Sequence, residues 1–251
     1  MNEIGTPDSK RRGGRRERRD LRTRPDHAML PTLAGQLPLT EPMDQEQIER
    51  IDAASLDILE EIGVVFRDDI ALEDWRKAGA DVRGDRVHLD RGLVKSLIKT
   101  IPPEITLHAR NPEKTVALGG RQSIFIPMTG APYLRDLEDV RRSPTLDDLA
   151  TFHKLAHMLP AMHSSAHHVV EPMDHPISHR HLRITHSSML YSDKTFMGMT
   201  TSGQNAEDVL DMCDMLFGEE YLETHAVVTG NCNGNSPLVW DETMLSAMRA
   251  F

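Results

Sequence analysis

The chain has 251 residues, 39% of them in the hydrophobic class and 27% charged, with a formal net charge of −10. No apolar run approaches the ~20 residues of a membrane span, and Cys213 and Cys232 are too few and too far apart for a disulfide framework or a CxxC pair. A reducing cytoplasm is therefore the expected setting, and the acidic balance argues against nucleic acid as a partner, because phosphate contacts need a positive surface.

Residues 1–26 carry nine Lys/Arg against five Asp/Glu, leaving 20 against 34 for the rest of the chain. The cluster from Lys10 to Arg19 reads as a disordered, solvated basic tail. It is not an export signal, because Arg22, Arg24, Asp26 and His27 interrupt any apolar stretch behind it. Pro25, Pro31, Pro38 and Pro42 extend this tail and linker to residue 43.

A small α+β region is expected over 44–114. Asp44 reads as an N-cap, with Gln47 at the capping-box spacing. Ile48, Ile51, Ser55, Ile58, Leu59 and Ile62 then share one helical face, and Gly63 ends the helix. The order that follows is a strand at Val64–Phe66, a helix at Asp69–Ala78 and a strand at Val87–Leu89. A helix at Gly92–Lys99 and a strand at Glu104–Ala109 complete the region. It contains no catalytic constellation, and its expected role is a cap or oligomerisation module.

Over 115–251 the pattern changes to repeating strand–helix units. Strands are expected at Ser123–Ile126, near His168–Val170, at Thr195–Met199 and at His225–Thr229. Helices follow them: one from Thr145 with Asp148 three residues on, one at Ile177–Leu190, one capped by Asn205, and one opening near Asp241. Leu149, Phe152, Leu155, Ala156 and Leu159 form the inward stripe of the first. Four strands alternating with four helices demand parallel pairing with crossover helices. Half of a (β/α)8 TIM barrel and an open doubly wound sheet both fit. No GxGxxG follows any strand, so the half-barrel is the preferred reading, with about four of eight units in the chain.

Chemistry in such folds sits where strands end. Glu171 and Asp174 follow the second strand, on either side of Pro172, and suit a cation or acid–base work. For Asp174 the capping of the following helix is an equal alternative. Asn231, Asn233, Asn235 and Ser236 offer uncharged donors and acceptors after the fourth strand, although such residues also make tight turns. Nine of the thirteen histidines lie between His153 and His186. His153 and His157 have zincin spacing, but Lys154 stands where that motif needs glutamate. His179 and His181 have HxH spacing but fall in a helix, and of His167 and His168 at most one points inward. No catalytic metal is expected. GxSxG, P-loop and CxxC motifs are absent.

Several segments together resemble the trimethylamine:corrinoid methyltransferase family, including its glycine betaine-demethylating branch. They are Arg11–Arg16, Glu61–Val64, Arg141–Thr145, Glu171–Asp174, Arg180–Leu182, Ser192–Gly198 and Asn231–Leu238. The resemblance implies a (β/α)8 barrel with an N-terminal extension. It implies transfer of a methyl group from a methylated amine to the Co(I) of a corrinoid carried on a separate protein, as part of one-carbon metabolism or methanogenesis. No tightly bound cofactor is implied for this chain. The trimethylamine branch uses a pyrrolysine in the barrel's second half, a region beyond Phe251, so the branch is left open. The chain is accordingly expected to be the N-terminal half of such an enzyme, truncated at Phe251 and inactive alone. Tyr133, Glu171, Asp174, Asn231 and Asn233 are the expected substrate-binding residues. Tyr133 and Trp240 are the well-placed aromatics for a quaternary ammonium. The alternatives are an assembly-only half-barrel that pairs as a homo-oligomer, and a metal-dependent barrel hydrolase.

Overall fold

The computed structural model describes residues 28–36, 38 and 40–251, and the basic cluster lies outside the described residues. The architecture is mixed α/β, with helices and several small sheets. Part of the stretch expected as linker is a strand, β1 (Leu33–Ala34). Helix α1 (Gln45–Asp57) opens on the capping box: Asp44 accepts from the Gln47 amide at 2.8 Å and Gln47 Oε1 accepts from the Asp44 amide at 3.0 Å. Its end loosens into a π-helical segment, Ile58–Ile62. Gly63 stops it at φ 73°, where a Cβ would lie 2.6 Å from the Val87 carbonyl oxygen. The expected inward face is formed only in part: Leu59 packs against the second apolar centre described below. Ile48, Ile51, Ile58 and Ile62 are exposed, while Leu56 is buried.

Next come β2 (Val64–Arg67), α2 (Asp69–Lys77), the strands β3 (Asp81–Arg83) and β4 (Arg86–His88), and α3 (Arg91–Ile98). Asp68 and Asp90 cap the two helices through their side chains. Strand β5 (Glu104–Leu107) pairs antiparallel with β6 (Val116–Gly119), and β7 (Gln122–Ser123) pairs back onto β1. Strands β8 (Leu134–Arg135) and β9 (Arg141–Arg142) form a small hairpin.

The helices α4 (Leu146–Met158) and α5 (Ile177–Tyr191) follow, then β10 (Phe196–Met197) and α6 (Gly203–Phe217). The chain continues with α7 (Glu219–Leu222), β11 (Val228–Thr229), β12 (Val239–Asp241) and α8 (Glu242–Ala250). In α4 Leu149 and Ala156 are buried as expected, but Leu155 and Leu159 are exposed. The cap of α6 is Ser202, whose side chain accepts from the Asn205 amide at 3.1 Å. Asn205, the expected cap, instead donates its side-chain amide to Thr201 Oγ1 at 2.7 Å.

The expected half-barrel of four parallel strands is not formed as such. The first expected strand pairs antiparallel with β1 through Ser123, and the second is reduced to a single bridge at Val170. Only the third and fourth form regular strands, β10 and β11. Their regular pairing is β10 with β11, extended by single parallel bridges between Ala131 and Val170 and between Ser164 and Thr195. Two local causes can be named. The Phe125 amide donates to the side chain of His163, at Nδ1, at 2.9 Å, so one backbone donor leaves the ladder. Ala166 holds φ at 59°, which breaks the extended run into the second strand.

Two apolar centres hold the fold. One gathers Leu149, Ile184, Phe196, Val209 and Cys213 beneath α4, α5 and α6. The other gathers Val64, Phe66, Leu72, Val87 and Leu245. Each fully buried aliphatic side chain contributes about 1.5–3 kcal/mol. The second centre joins distant segments, because β12 lies parallel to β2 at the edge of the sheet β12-β2-β4-β3. Trp240, expected as an aromatic placed for a quaternary ammonium beyond the fourth strand, instead belongs to this sheet, in register with Phe66. Among the described residues no helix is long and apolar enough to cross a membrane.

Candidate functional site

Parallel neighbours finish at the same edge of a sheet. The Ala131–Val170 pairing therefore sets two loops side by side, and the Phe196–Val228 pairing sets two more. These loops begin near Tyr133, Glu171, Thr200 and Asn231. The first two touch directly, since the Glu171 amide donates to the Ala131 carbonyl at 2.9 Å. The last two touch where Thr200 Oγ1 donates to the Asn231 carbonyl at 2.6 Å.

Glu171 is the best-organised of the expected residues. Its carboxylate accepts from Arg180 Nη1 at 2.6 Å and lies 3.4 Å from His168 Nε2, with its side chain about three-quarters buried. Arg180 stands in the first turns of α5, and its Nε and Nη2 also donate to the His175 carbonyl at 3.3 and 2.8 Å. Burial holds the His168 imidazole below its ordinary range, opposed by the Glu171 charge. A neutral imidazole, a carboxylate and a guanidinium thus form a chain at the end of the second strand. Arg180 neutralises Glu171 directly, so this carboxylate is not a free counter-charge for a cation.

Tyr133 is half-exposed, with the Arg141 guanidinium 4.0 Å above its ring. Asp174 has a structural role that differs from the expected cap of the following helix. Its Oδ1 accepts from the Leu146 amide at 2.9 Å and so caps the preceding helix, α4, across 28 residues. Asn231 and Asn233 are exposed in the fourth loop. Asn235 closes a turn, pairing its backbone with Val239 and donating its side-chain amide to Asp241 at 2.5 Å.

The histidines are mostly accounted for by structure. His153 Nε2 lies 2.8 Å from the His167 carbonyl, which can only accept, so Nε2 carries the proton. Nδ1 then accepts from the Ser187 hydroxyl at 2.9 Å. Burial holds the His153 and His167 pKa values down, that of His167 well below the ordinary range. The expected helical setting of His179 and His181 is found in α5, with the buried His181 Nε2 2.6 Å from Asp208 Oδ2. No group of three or more His, Cys, Asp or Glu side chains that could hold a metal ion occurs among the described residues.

Three residues were named in the sequence only as parts of motifs and given no contact of this kind. Arg180 and His168 surround Glu171, but neither the i+9 spacing nor adjacent strand histidines signal such contacts. Lys194 is buried, and its ammonium donates to the carbonyls of Ala156, Leu159 and Met162 at 2.8, 2.8 and 2.6 Å, capping the end of α4. A lysine following a surface-like Ser192-Asp193 pair gives no sign of this.

Residues 11–251 match a family described as Trimethylamine methyltransferase (MTTB). The chain is 40% identical over 216 residues to the glycine betaine methyltransferase of Desulfitobacterium hafniense (strain Y51), an alignment covering 86% of this chain and 45% of that protein. It is 25% identical over 201 residues to the trimethylamine methyltransferase MttB of Desulfitobacterium hafniense (strain DSM 10664 / DCB-2), covering 77% and 40%. Over 112 residues it is 32% identical to the proline betaine:corrinoid methyltransferase of Eubacterium limosum, covering 43% and 22%. The chain therefore spans less than half the length of these curated relatives.

Proposed function

The chain belongs to the trimethylamine methyltransferase family, and from that premise we propose that it forms the substrate-facing first part of a methylamine or betaine:corrinoid methyltransferase. The methyl donor is a methylated amine, either trimethylamine or a quaternary amine such as glycine betaine. The acceptor is a corrinoid carried on a partner protein. In this reading residues 44–114 are an N-terminal α+β region, and the parallel contacts of residues 115–251 are four units of a (β/α)8 barrel. Cys213 and Cys232, both free thiols, agree with a cytoplasmic setting.

What supports the reading, beside the family match, is that the loops meet in two pairs, with Glu171 fixed between Arg180 and His168 in one of them. The loops are open, with Tyr133 half-exposed and Asn231 and Asn233 exposed, which fits an acceptor delivered by another protein. The corrinoid, when present, supplies the nucleophile for the methyl carbon. This chain's residues orient the donor, which is a substantial contribution to such a displacement. A quaternary donor leaves as a neutral amine, so no side chain has to deliver a proton. Tyr133 presents an aromatic ring to the methylated ammonium, and Asn231 and Asn233 supply uncharged hydrogen-bonding groups.

The test is methyl transfer to free cob(I)alamin, followed by its absorbance, with glycine betaine and trimethylamine as alternative donors. It is run on this chain and on any longer product of its gene. Transfer from one donor, reduced at least about tenfold by Glu171→Gln or Tyr133→Phe, is the expected result. Unchanged transfer in both variants would remove these residues from the site. No transfer from either donor by a longer product that carries the complete barrel would overturn the functional reading.

A second reading, assembly through the N-terminal region, is favoured by the exposed Ile48, Ile51, Ile58 and Ile62 beside α1. A stable dimer that unfolds cooperatively supports it, and a monomer that binds a hydrophobic dye and aggregates argues for a cut domain.

A further inference from the structure

A methionine-walled groove lies between the C-terminal halves of α5 and α6. Met189 stands nine residues beyond Arg180 on α5, so the groove is ~13 Å along the helix axis from the contact with Glu171. Its walls are Met189 and Leu190 of α5 and Met212, Met215 and Leu216 of α6, and it encloses about 300 Å³. That is the lower end of the size of small-molecule pockets, ~300–1,000 Å³. Met189 is part of the apolar centre beneath these helices, and Met212 and Leu216 pack against that centre. The floor of the groove is therefore the core itself. Leu190 and Met215 stand at the mouth, 55% and 81% exposed, as surface that a bound alkyl group would cover. Methionine suits such a wall, because its unbranched thioether adapts to the shape it meets.

The polar end of the groove is cationic. Arg110, in the segment after β5, lines it and donates from Nη1 to the Met189 carbonyl at 2.9 Å and from Nη2 to the Ser192 carbonyl at 3.2 Å. These bonds fix the guanidinium at the C-terminal end of α5. The helix end offsets its charge only in part, being equivalent to roughly half an elementary charge. A guanidinium carries five N–H donors, and the two bonds leave Nε and one hydrogen on each Nη for a further acceptor. His186 is the other polar side chain of the lining, which contains no Asp or Glu. Asp211 and Asp214 are exposed on α6 and do not line the groove. An apolar trough with a fixed guanidinium at one end matches an alkyl chain with a carboxylate head.

We propose that this groove binds an amphipathic carboxylate, with a single alkyl chain between the methionines and its head group on Arg110. The site is separate from the loops that carry Glu171 and does not need the methyl-transfer reading to be right.

Met189, Met212 and Met215 place methyl groups in the walls, so NMR of the chain labelled with methyl-13C methionine reports on the groove directly. Sodium octanoate is titrated at constant ionic strength, with 1-octanol and octylammonium as its neutral and cationic counterparts. Substitution of each methionine by leucine assigns the resonances. The expected result is a saturable shift of these three methyl groups with octanoate, and at least about tenfold weaker binding of both counterparts. Arg110→Gln should bring octanoate down to the affinity of octanol while leaving octanol unchanged, a pattern that loss of the fold would not give. Met215→Glu, at a mouth position where folding is not at stake, should weaken octanoate severalfold and leave octylammonium undiminished. That variant decides the matter if Arg110→Gln loses octanol binding as well. Equal affinity for octanoate and octanol, no saturable shift, or shifts confined to methionines elsewhere in the chain would each overturn the proposal. So would undiminished octanoate binding by the folded Met215→Glu or Arg110→Gln protein.

Discussion

Lys194 follows Ser192 and Asp193, and its ammonium ends in a buried cup of three carbonyls at the end of α4. Burial pushes its pKa down to about 8, with the nearby Lys114 adding to the effect and Asp193 opposing it. The unfolded chain therefore binds more protons than the folded one between pH 8 and about 10.5, and stability contributed at this residue rises with pH across that window. The stability advantage of wild type over Lys194→Met should grow by up to about 3 kcal/mol between pH 7.5 and 10.5, measured by urea unfolding. A constant difference would mean that the side chain titrates in its ordinary range. That Glu171 ends an apolar run was legible in the sequence. Arg180 was not, because a contact between a strand end and a helix depends on how the helix is laid down.

Helix α4 shows how local rules and long-range contacts combine at one terminus. Thr145 and Asp148 form the capping box that their spacing announces. Two contributions from elsewhere complete it. Arg142 donates two hydrogen bonds to Asp148, at 2.6 and 2.7 Å, and Asp174 caps Leu146 from another loop. The Arg142 side chain holds the Asp148 carboxyl far below the usual carboxylate range. Its stabilising effect is therefore present above pH ~4 and lost as pH falls below that. Asp148→Asn should cost about 1–2 kcal/mol at pH 7. The gap to wild type should close on acidification in a series of urea curves. The short strands were less legible than the helices. Capping and 3.6-residue spacing are properties of neighbouring residues, whereas a ladder needs two segments in register. His163 and the left-handed Ala166 interrupt that register in ways hydrophobicity does not record.

Over the whole molecule, the pairing of β12 with β2 ties the end of the chain to the N-terminal sheet. The ion pair of Arg249 with Asp68, whose side chain is 3% exposed, reinforces the tie. Asp68 also caps α2 and has its carboxyl held low by Arg249. A double-mutant cycle on Asp68→Asn and Arg249→Met should return a coupling of about 1–3 kcal/mol by chemical denaturation. Coupling near zero would mean that the two segments unfold independently. Legible in the sequence were the positions of most helices, the caps of α1 and α4, and the segments that resemble the methyltransferase family. Each of these is written in short-range spacing or in contiguous residues. The pairing of Trp240 with Phe66, the capping of α4 by Asp174 and the neutralisation of Glu171 by Arg180 could be seen only in the folded chain. These contacts depend on which distant segments share a face, and that follows from burial of the whole chain, not from the period of any part of it.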